Sequence, residues 1–220
     1  MRKIEKIAVL AVIPIVVFGA TIGTSGYMNL DSTESLRTGN SVISLVDTDL
    51  TEVEEGDIIY VREEEKLARD VYIRLYEMWG LRVFSNIVRA EQRHMDAMKV
   101  LIDRYGLEDP IIDEAGIFQD PMIQELYDGF IEEGSRSIES ALRVGCAIEE
   151  VDIIDLTQRV ANTDKDDIVS TYENLLKGSR NHLRAFVSVL EQFGFEYSPQ
   201  YLSQEEYDQI TNSPRENGTL

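Results

Sequence analysis

The 220-residue chain contains two histidines, His94 and His182, and each lies within an apolar helical pattern. Glu91 stands three residues before His94, so a helix places this carboxylate and this imidazole on one face, one turn apart. Both groups can then reach the same ion. Carboxylate oxygens and imidazole nitrogens without a thiolate suit iron or manganese, with zinc as a further candidate. The pair therefore indicates a metal site inside a helical fold.

The apolar faces of the other predicted helices also carry acidic side chains when each residue is advanced by about 100°. Glu64 lies closest to the centre of the face of the first helix, and Glu65 falls near its edge. The third helix carries Glu149 and Asp152, again three residues apart. Four buried carboxylates are costly unless cations compensate them, and two divalent ions would cancel their charge. The predicted ligands of two metal ions, with iron expected first, are Glu64, Glu91, His94, Glu149, Asp152 and His182.

Each of these residues also has an interpretation that involves no metal. Glu64 would be a surface acid paired with a lysine or an arginine, and either histidine would be a hydrogen-bonded core residue. Glu149 and Asp152 would form a solvated edge, since Glu150 and Asp155 beside them are expected to be exposed. The joint occurrence of both histidines and several inward acids on apolar faces favours the metal site.

Tyr72 and Cys146 are the remaining side chains of chemical interest. Tyr72 lies about two turns beyond Glu64 and Glu65, where it would act as a catalytic hydrogen-bond donor or oxidisable group near the metal centre. The alternative is a tyrosine packed in the core. Cys146 is the single cysteine, which excludes an intramolecular disulfide and a cysteine-rich zinc or iron–sulfur site. We expect it to be a small buried residue.

Four long helices must position these groups, because the apolar spacing between residues 51 and 193 is helical and shows no strand alternation. The link over residues 106–133 is long and holds a short helix near Pro121–Glu132, whereas the other two links are short. Short, long and short connections are typical of an all-α, ferritin-like four-helix bundle with one long crossover between helices two and three. The predicted bounds of the long helices are 51–79, 82–105, 134–161 and 164–193.

Both chain ends are predicted to lie outside the bundle. Residues 1–26 combine three basic residues with an uncharged apolar run, which is typical of a secretory signal peptide or a membrane anchor, and both alternatives stay open. Either one keeps the basic start inside and exports the rest of the chain. The remaining predicted segments are an acidic flexible linker over 27–50, the bundle over 51–196 and a polar C-terminal tail over 197–220.

The charge balance restricts the partners. The chain has 41 acidic and 21 basic side chains and a net charge of −20. Nucleic acid is not expected to bind, because phosphate recognition requires clustered lysines and arginines.

Four short sequence blocks occur in a specific order along the predicted helices. They are EEEKLARDVY (63–72), AEQRHM (90–95), IEEVDI (148–153) and GSRNHLRAF (178–186). Over residues 52–207 these blocks resemble a ferritin-like family of archaea and bacteria that is catalogued as a domain of unknown function and is a relative of rubrerythrins. The resemblance implies a ferritin-like fold and a carboxylate-bridged di-metal centre. It implies no particular reaction.

One position departs from the pattern of common di-iron bundles. Those bundles carry Glu-x-x-His on two helices, and a lone glutamate on each of the others. Here the fourth helix offers Ser179 and His182, so one carboxylate is missing. We expect Asp152, one turn beyond Glu149, to supply it from the neighbouring helix.

The function expected from these features is an exported di-iron oxidoreductase that reduces oxygen or peroxide, or oxidises ferrous iron. Electrons would come from ferrous iron itself or from an external donor that the sequence does not identify. A non-enzymatic protein that binds metal or handles iron is the first alternative, and a metal-free envelope interaction module is the second. A membrane tether and a homodimer are both compatible with the sequence.

Overall fold

Six α-helices form the part of the chain that the computed structural model describes, residues 49–218, and no strand occurs in that range. The predicted signal or anchor over 1–26 and nearly all of the predicted linker lie outside the described residues. No helix within 49–218 combines the length and apolar character needed to span a bilayer. The helices are α1 Glu52–Trp79, α2 Arg82–Tyr105, α3 Pro121–Gly134, α4 Ile138–Val160, α5 Asp166–Gln192 and α6 Gln204–Thr211.

The helix ends follow from local sequence signals. Thr51 and Glu54 form a capping box at the start of α1, with each side chain bonded to the backbone of the other residue. Gly80 and Gly106 end α1 and α2 in the left-handed conformation, at φ values of 66° and 69°, which glycine adopts without steric cost. The predicted bounds of these two helices agree with the structure to within one residue. The third long helix begins later than predicted, because α3 extends to Gly134 and Ser137 then caps α4.

The four long helices surround a common core. α1 packs against α2, and α4 packs against α5. Contacts of α2 with α5 and of α1 with α4 join the two pairs into one bundle. Tyr72, Phe84 and Phe186 meet in its interior, with ring centroids 5.2–6.1 Å apart. The crossover helix α3 packs on α1 and α4. This all-helical arrangement agrees with the predicted bundle and its single long crossover, and Cys146 is buried and free, as expected.

Four consecutive charged residues of α1, Glu63 to Lys66, are all buried, with exposures of 3%, 7%, 3% and 1%. Glu63 accepts hydrogen bonds from the backbone N–H groups of Gln119 and Asp120 in the crossover. The Lys66 ammonium donates to Asp70 and to two crossover carbonyls. These long-range bonds fix the rotation of α1 about its own axis, and so decide which of its other acids faces the core.

The segment predicted to be a polar tail contains α6 and packs on α5. Its approach buries Glu150, which was expected to be exposed and is instead 0% exposed. That expectation was wrong because Glu150 accepts hydrogen bonds from the Tyr197 hydroxyl and from three successive backbone N–H groups of residues 200–202. Periodicity along α4 carries no information about this returning segment.

Candidate metal centre

Two triads of buried ligand groups lie in the core and share Glu91. The first consists of Glu65, Glu91 and His94, and the second of Glu91, Glu149 and His182. Within each triad, one ligand atom from each residue lies within 4.8 Å of the others. The five residues come from α1, α2, α4 and α5, so the site forms only when all four long helices are assembled.

Glu91 directs one carboxylate oxygen to each histidine. Its Oε2 atom lies 2.9 Å from Nδ1 of His94, and its Oε1 atom lies 2.9 Å from Nδ1 of His182. Glu65 Oε2 approaches the His94 nitrogen to 3.1 Å, and Glu149 Oε2 approaches the His182 nitrogen to 3.4 Å. The two imidazole rings lie 5.6 Å apart, centroid to centroid. Glu91 thus lies between the two histidines, with one carboxylate oxygen directed to each.

The orphaned polar atoms at this site fit metal coordination better than hydrogen bonding. Glu91 Oε1, Glu149 Oε2 and His182 Nδ1 are buried and have no hydrogen-bond partner of acceptable geometry among residues 49–218. Buried polar atoms are normally paired, so three orphans in one place require an explanation. Ligand atoms that surround one ion at about 2.0–2.2 Å lie about 2.8–3.5 Å from each other, and the observed spacings fall in that range. The clusters could therefore hold metal ions, and their oxygen and nitrogen donors suit iron, manganese or zinc.

The electrostatics of the site favour cations. Burial alone would lower the pKa of His94, but Glu65 and Glu91 overcome it and raise the pKa to about 9. Burial raises the pKa of Glu65 to about 7 despite the opposing charge of His94. For Glu91, burial acts to raise the pKa, yet His182 and His94 outweigh it and hold the pKa below its usual range. Carboxylates that stabilise protons on two buried imidazoles would stabilise metal ions in the same place.

Tyr72 fixes one of the ligand carboxylates. Its hydroxyl donates a hydrogen bond of 2.6 Å to Oε1 of Glu149, which leaves Oε2 facing His182. The ring is fully buried and packs on Phe84 and Phe186. Tyr72 is therefore both a core residue and a hydrogen-bond donor at the site, so the two interpretations of the sequence are not exclusive.

Gly178 permits the position of His94. A Cβ atom at residue 178 would lie 2.4 Å from Cε1 and 2.5 Å from Nε2 of His94, closer than real Cβ contacts. The backbone of α5 therefore passes directly against the edge of this imidazole. That contact holds the ring with Nδ1 towards the two carboxylates.

The structure brings together four of the six predicted ligands, namely Glu91, His94, Glu149 and His182. Glu64 belongs to neither triad, and Glu65 occupies the α1 position. Glu64 is instead close to Asp155, whose charge raises the pKa of Glu64, and to Arg159, whose charge lowers it, while burial gives the largest upward shift. Because one residue is a 100° rotation, the choice between 64 and 65 depends on the helix rotation that the crossover imposes. The sequence could have identified Glu65 through Tyr72, because Glu65 lies seven residues before Tyr72 and therefore shares its helix face.

Asp152 also belongs to neither triad. It is 4% exposed, and burial together with the charges of Glu64 and Glu149 raises its pKa well above the usual value. Asp152 is therefore close enough to the triads for their charges to shift its pKa, although it is not a member of either triad. The Ser179 hydroxyl donates to the carbonyl of Leu175 at 3.3 Å, so α5 contributes His182 alone among the triad residues.

Comparison with known proteins identifies a family and similar proteins. A family described as "Uncharacterized protein domain (DUF2202)" matches residues 54–214. The "Uncharacterized protein MJ0754" of Methanocaldococcus jannaschii is 48% identical over 178 residues, which are 80% of this chain and 96% of that protein. The crystal structure of the hypothetical protein MJ0754 from Methanococcus jannaschii matches with a TM-score of 0.75 at 46% identity, covering 83% of this chain and 100% of that chain. These names state no activity.

Proposed function

This chain belongs to the DUF2202 family, and we propose that it binds two metal ions, iron in the first instance, through Glu65, Glu91, His94, Glu149 and His182. One observation carries the proposal: the two oxygens of Glu91 each lie 2.9 Å from Nδ1 of a different histidine. A single carboxylate between two buried imidazoles, with a further carboxylate on each, is an arrangement that two cations stabilise. The proposal includes a ferritin-like relationship, supported by the helix order and the long crossover.

The reaction we propose is oxidation of ferrous iron, or reduction of oxygen or peroxide. Bound iron would supply the one-electron redox chemistry. The chain's own residues would hold the ions, and Tyr72 would keep Glu149 oriented towards His182. Side chains that orient ligands in this way matter nearly as much as the ligands themselves. No second cysteine is present in the sequence, so electrons would come from iron or from an external donor.

A non-enzymatic role in holding iron is the second candidate, and the burial of the site favours it. Glu91, Glu149 and His94 are at most 1% exposed, and His182, the most exposed of the five, is 8% exposed. Only small reactants such as oxygen, peroxide or an ion would reach so closed a site. The two candidates differ in whether the reduced protein reacts with an oxidant.

Anaerobic loading with ferrous iron tests the metal site. The wild-type protein should bind two ions per chain, and Glu91→Gln should lose both, because Glu91 belongs to both triads. Glu77→Gln, which removes a 57% exposed carboxylate of α1, is the matched control and should bind two. A wild-type protein that binds fewer than about 0.2 ions per chain would overturn the proposal, since closed carboxylate–histidine sites of this kind retain divalent metals.

Exposure of the loaded protein to air or peroxide separates the two candidates. Rapid formation of ferric absorption in the near ultraviolet would support the oxidoreductase. A protein that retains both ions but stays ferrous in air for hours would support the iron-holding role and eliminate the enzyme. Glu77→Gln should behave as wild type in either case.

We also propose that the chain is exported, either as a secreted or as a membrane-tethered protein. The support is the sequence of residues 1–26, in which a basic start precedes an uncharged apolar run. Cell fractionation should find the protein outside the cytoplasm. N-terminal sequencing of the purified protein would distinguish a cleaved signal from a retained anchor, and recovery in the cytoplasmic fraction would contradict export.

A further inference from the structure

Two rows of polar side chains lead from the triads to one end of the helix group. On α1 the row is Asp57, Tyr60 and Glu64, and on α4 it is Asp152, Asp155 and Arg159; we call these six residues the polar track. The spacing within each row is three or four residues, which keeps its members on one helix face. At 1.5 Å per residue, the α4 row ends about 15 Å from Glu149.

The two rows lie side by side at their outer ends, where α1 and α4 run in opposite directions. Arg159 lies 3.6 Å from Asp57, and the Asn162 amide donates to Asp57 at 3.2 Å, so the end of α4 lies beside the start of α1. Further in, Glu64 and Asp155 lie near enough for the charge of Asp155, besides burial, to raise the pKa of Glu64. The outer parts of the two rows are thus in direct contact, and Asp152 lies next inward.

The inner acids of the polar track, Glu64 and Asp152, are more buried than Asp57 and Asp155, and the side chain of Arg159 at the outer end is 13% exposed. The side chains of Asp155 and Asp57 are 26% and 18% exposed, Glu64 and Asp152 are 7% and 4% exposed as residues, and Glu149 is 0% exposed. Acidic groups therefore extend without interruption from a partly solvated end to the buried ligands. Such a line of carboxyl groups offers successive oxygen ligands to a cation that moves inward.

Unpartnered polar atoms show that the polar track is not a closed set of ion pairs. The Tyr172 hydroxyl on α5 has no hydrogen-bond partner within the described range although the residue is 1% exposed. Besides burial, the charges of Asp57, Arg159 and Glu64 shift the pKa of Tyr172, so its hydroxyl lies near both rows. A buried hydroxyl without a partner normally requires a water or an ion that the protein atoms do not supply.

Arg159, at the outer end of the polar track, makes only long ion pairs with its acidic neighbours. Its guanidinium lies 3.6 Å from Asp57 and 3.9 Å from Asp155, both beyond normal hydrogen-bond length, and its Nε atom has no partner in the described part of the chain. The group stacks over the Tyr60 ring at 4.6 Å. A positive group so placed repels a cation that approaches Asp57 and Asp155.

We propose that the polar track is the route by which divalent cations reach the two triads, with Arg159 as its gate. This inference rests on the proposed function, since it supplies the path to that metal site. The carboxylates pass the cation inward by successive weak coordination, and Arg159 swings aside when a cation replaces it beside Asp57 and Asp155. Neither Asp155 nor Arg159 belongs to a triad, so changes there should alter the rate of loading without changing the number of ions bound.

Stopped-flow mixing of the full-length protein with Co²⁺ alone, followed by its visible absorption, tests the route. Asp155→Asn should slow loading about tenfold, because a carboxylate ligand at the partly exposed end of the line is lost. Arg159→Gln should accelerate loading, and Arg159→Lys, which keeps the charge, should restore a rate close to wild type. Asp103→Asn removes a 65% exposed carboxylate of α2 and is the matched control. All four variants should finally bind two ions.

The outcomes separate the route from the metal site itself. If Asp155→Asn and Arg159→Gln both load at the wild-type rate and bind two ions, the route is wrong and the proposed function stands. If the wild-type protein binds no Co²⁺, the proposed function fails and the route fails with it. Should Asp155→Asn fail to fold, as judged by its helical circular dichroism, an Arg159→Gln rate no faster than wild type overturns the gate.

Discussion

The hydroxyl of Tyr72 donates a 2.6 Å hydrogen bond to Oε1 of Glu149 and thereby turns Oε2 of the same carboxylate towards His182. Because α1 supplies the tyrosine and α4 the glutamate, this bond couples helix packing to the geometry of the second triad. It connects a core aromatic residue with the chemistry of the site.

Replacing Tyr72 by phenylalanine should weaken metal binding at the second triad while leaving the fold intact. Loss of a side chain that orients a ligand typically lowers metal affinity about 10–100-fold. Chelator competition measures this affinity. Tyr105→Phe is the control, because its hydroxyl donates to Asp167 away from the triads and its loss should leave both affinities unchanged. Equal affinities in Tyr72→Phe and wild type would contradict the orienting role.

Glu65→Gln and Glu64→Gln should differ in stoichiometry. Glu65 lies 3.1 Å from the His94 nitrogen and belongs to the first triad, whereas Glu64 belongs to neither. We expect Glu65→Gln to retain one ion and Glu64→Gln to retain two, as measured by metal analysis after anaerobic loading. The opposite pattern would show that Glu64, as the helical periodicity suggested, is the ligand.

Gly178→Ala should destabilise the protein and disturb His94. The added methyl group would lie 2.4 Å from the ring, and overpacking of this kind costs about 1–3 kcal/mol. Gly56→Ala is the control, because nothing lies within 4 Å of its Cβ position, and an exposed helical alanine there should be neutral or slightly stabilising. Thermal unfolding of the two variants measures the difference. A Gly178→Ala protein as stable as wild type would mean that α5 shifts freely.

The stability contributed by Asp109 should disappear in acid. Burial acts to raise its pKa, but the bidentate hydrogen bonds from the Arg62 guanidinium at 3.0–3.1 Å outweigh this and hold the pKa below its usual range. A lowered folded-state pKa gives stability that is present above the unfolded pKa of about 3.9 and is lost as the pH falls through the folded value.

Urea unfolding of Asp109→Asn beside wild type measures this contribution. At pH 7 the variant should be less stable by about 1–3 kcal/mol, because the mostly buried Arg62 loses its charged partner. The gap should narrow as the pH is lowered below 4. A gap that is constant across this range would show that the carboxylate charge contributes nothing.

Much of the fold was predictable, because helix ends depend on nearby residues. Capping residues such as Thr51 and left-handed glycines such as Gly80 act over one turn, and the bounds of α1 and α2 were correspondingly accurate. The later start of α4 is harder to predict, because residues 134–137 hold both the end of α3 and the N-cap of α4.

The amino-acid pattern also located most of the site. Two histidines on apolar faces, with Glu91 and Glu149 at helical spacing, were sufficient to predict four of the five residues that meet in the two triads. This works because a polar side chain on an apolar helix face must be buried, and burial demands a partner or a cation.

The choice of Glu65 over Glu64, the burial of Glu150 and the placement of Asp152 beside the triads required the assembled structure. Helical periodicity fixes the angles between side chains on one helix, but the rotation of that helix against its neighbours depends on distant contacts. For α1 those contacts are the bonds of Glu63 and Lys66 to crossover residues about 50 positions away. For Glu150 they are backbone N–H groups of a segment that returns from the far end of the chain.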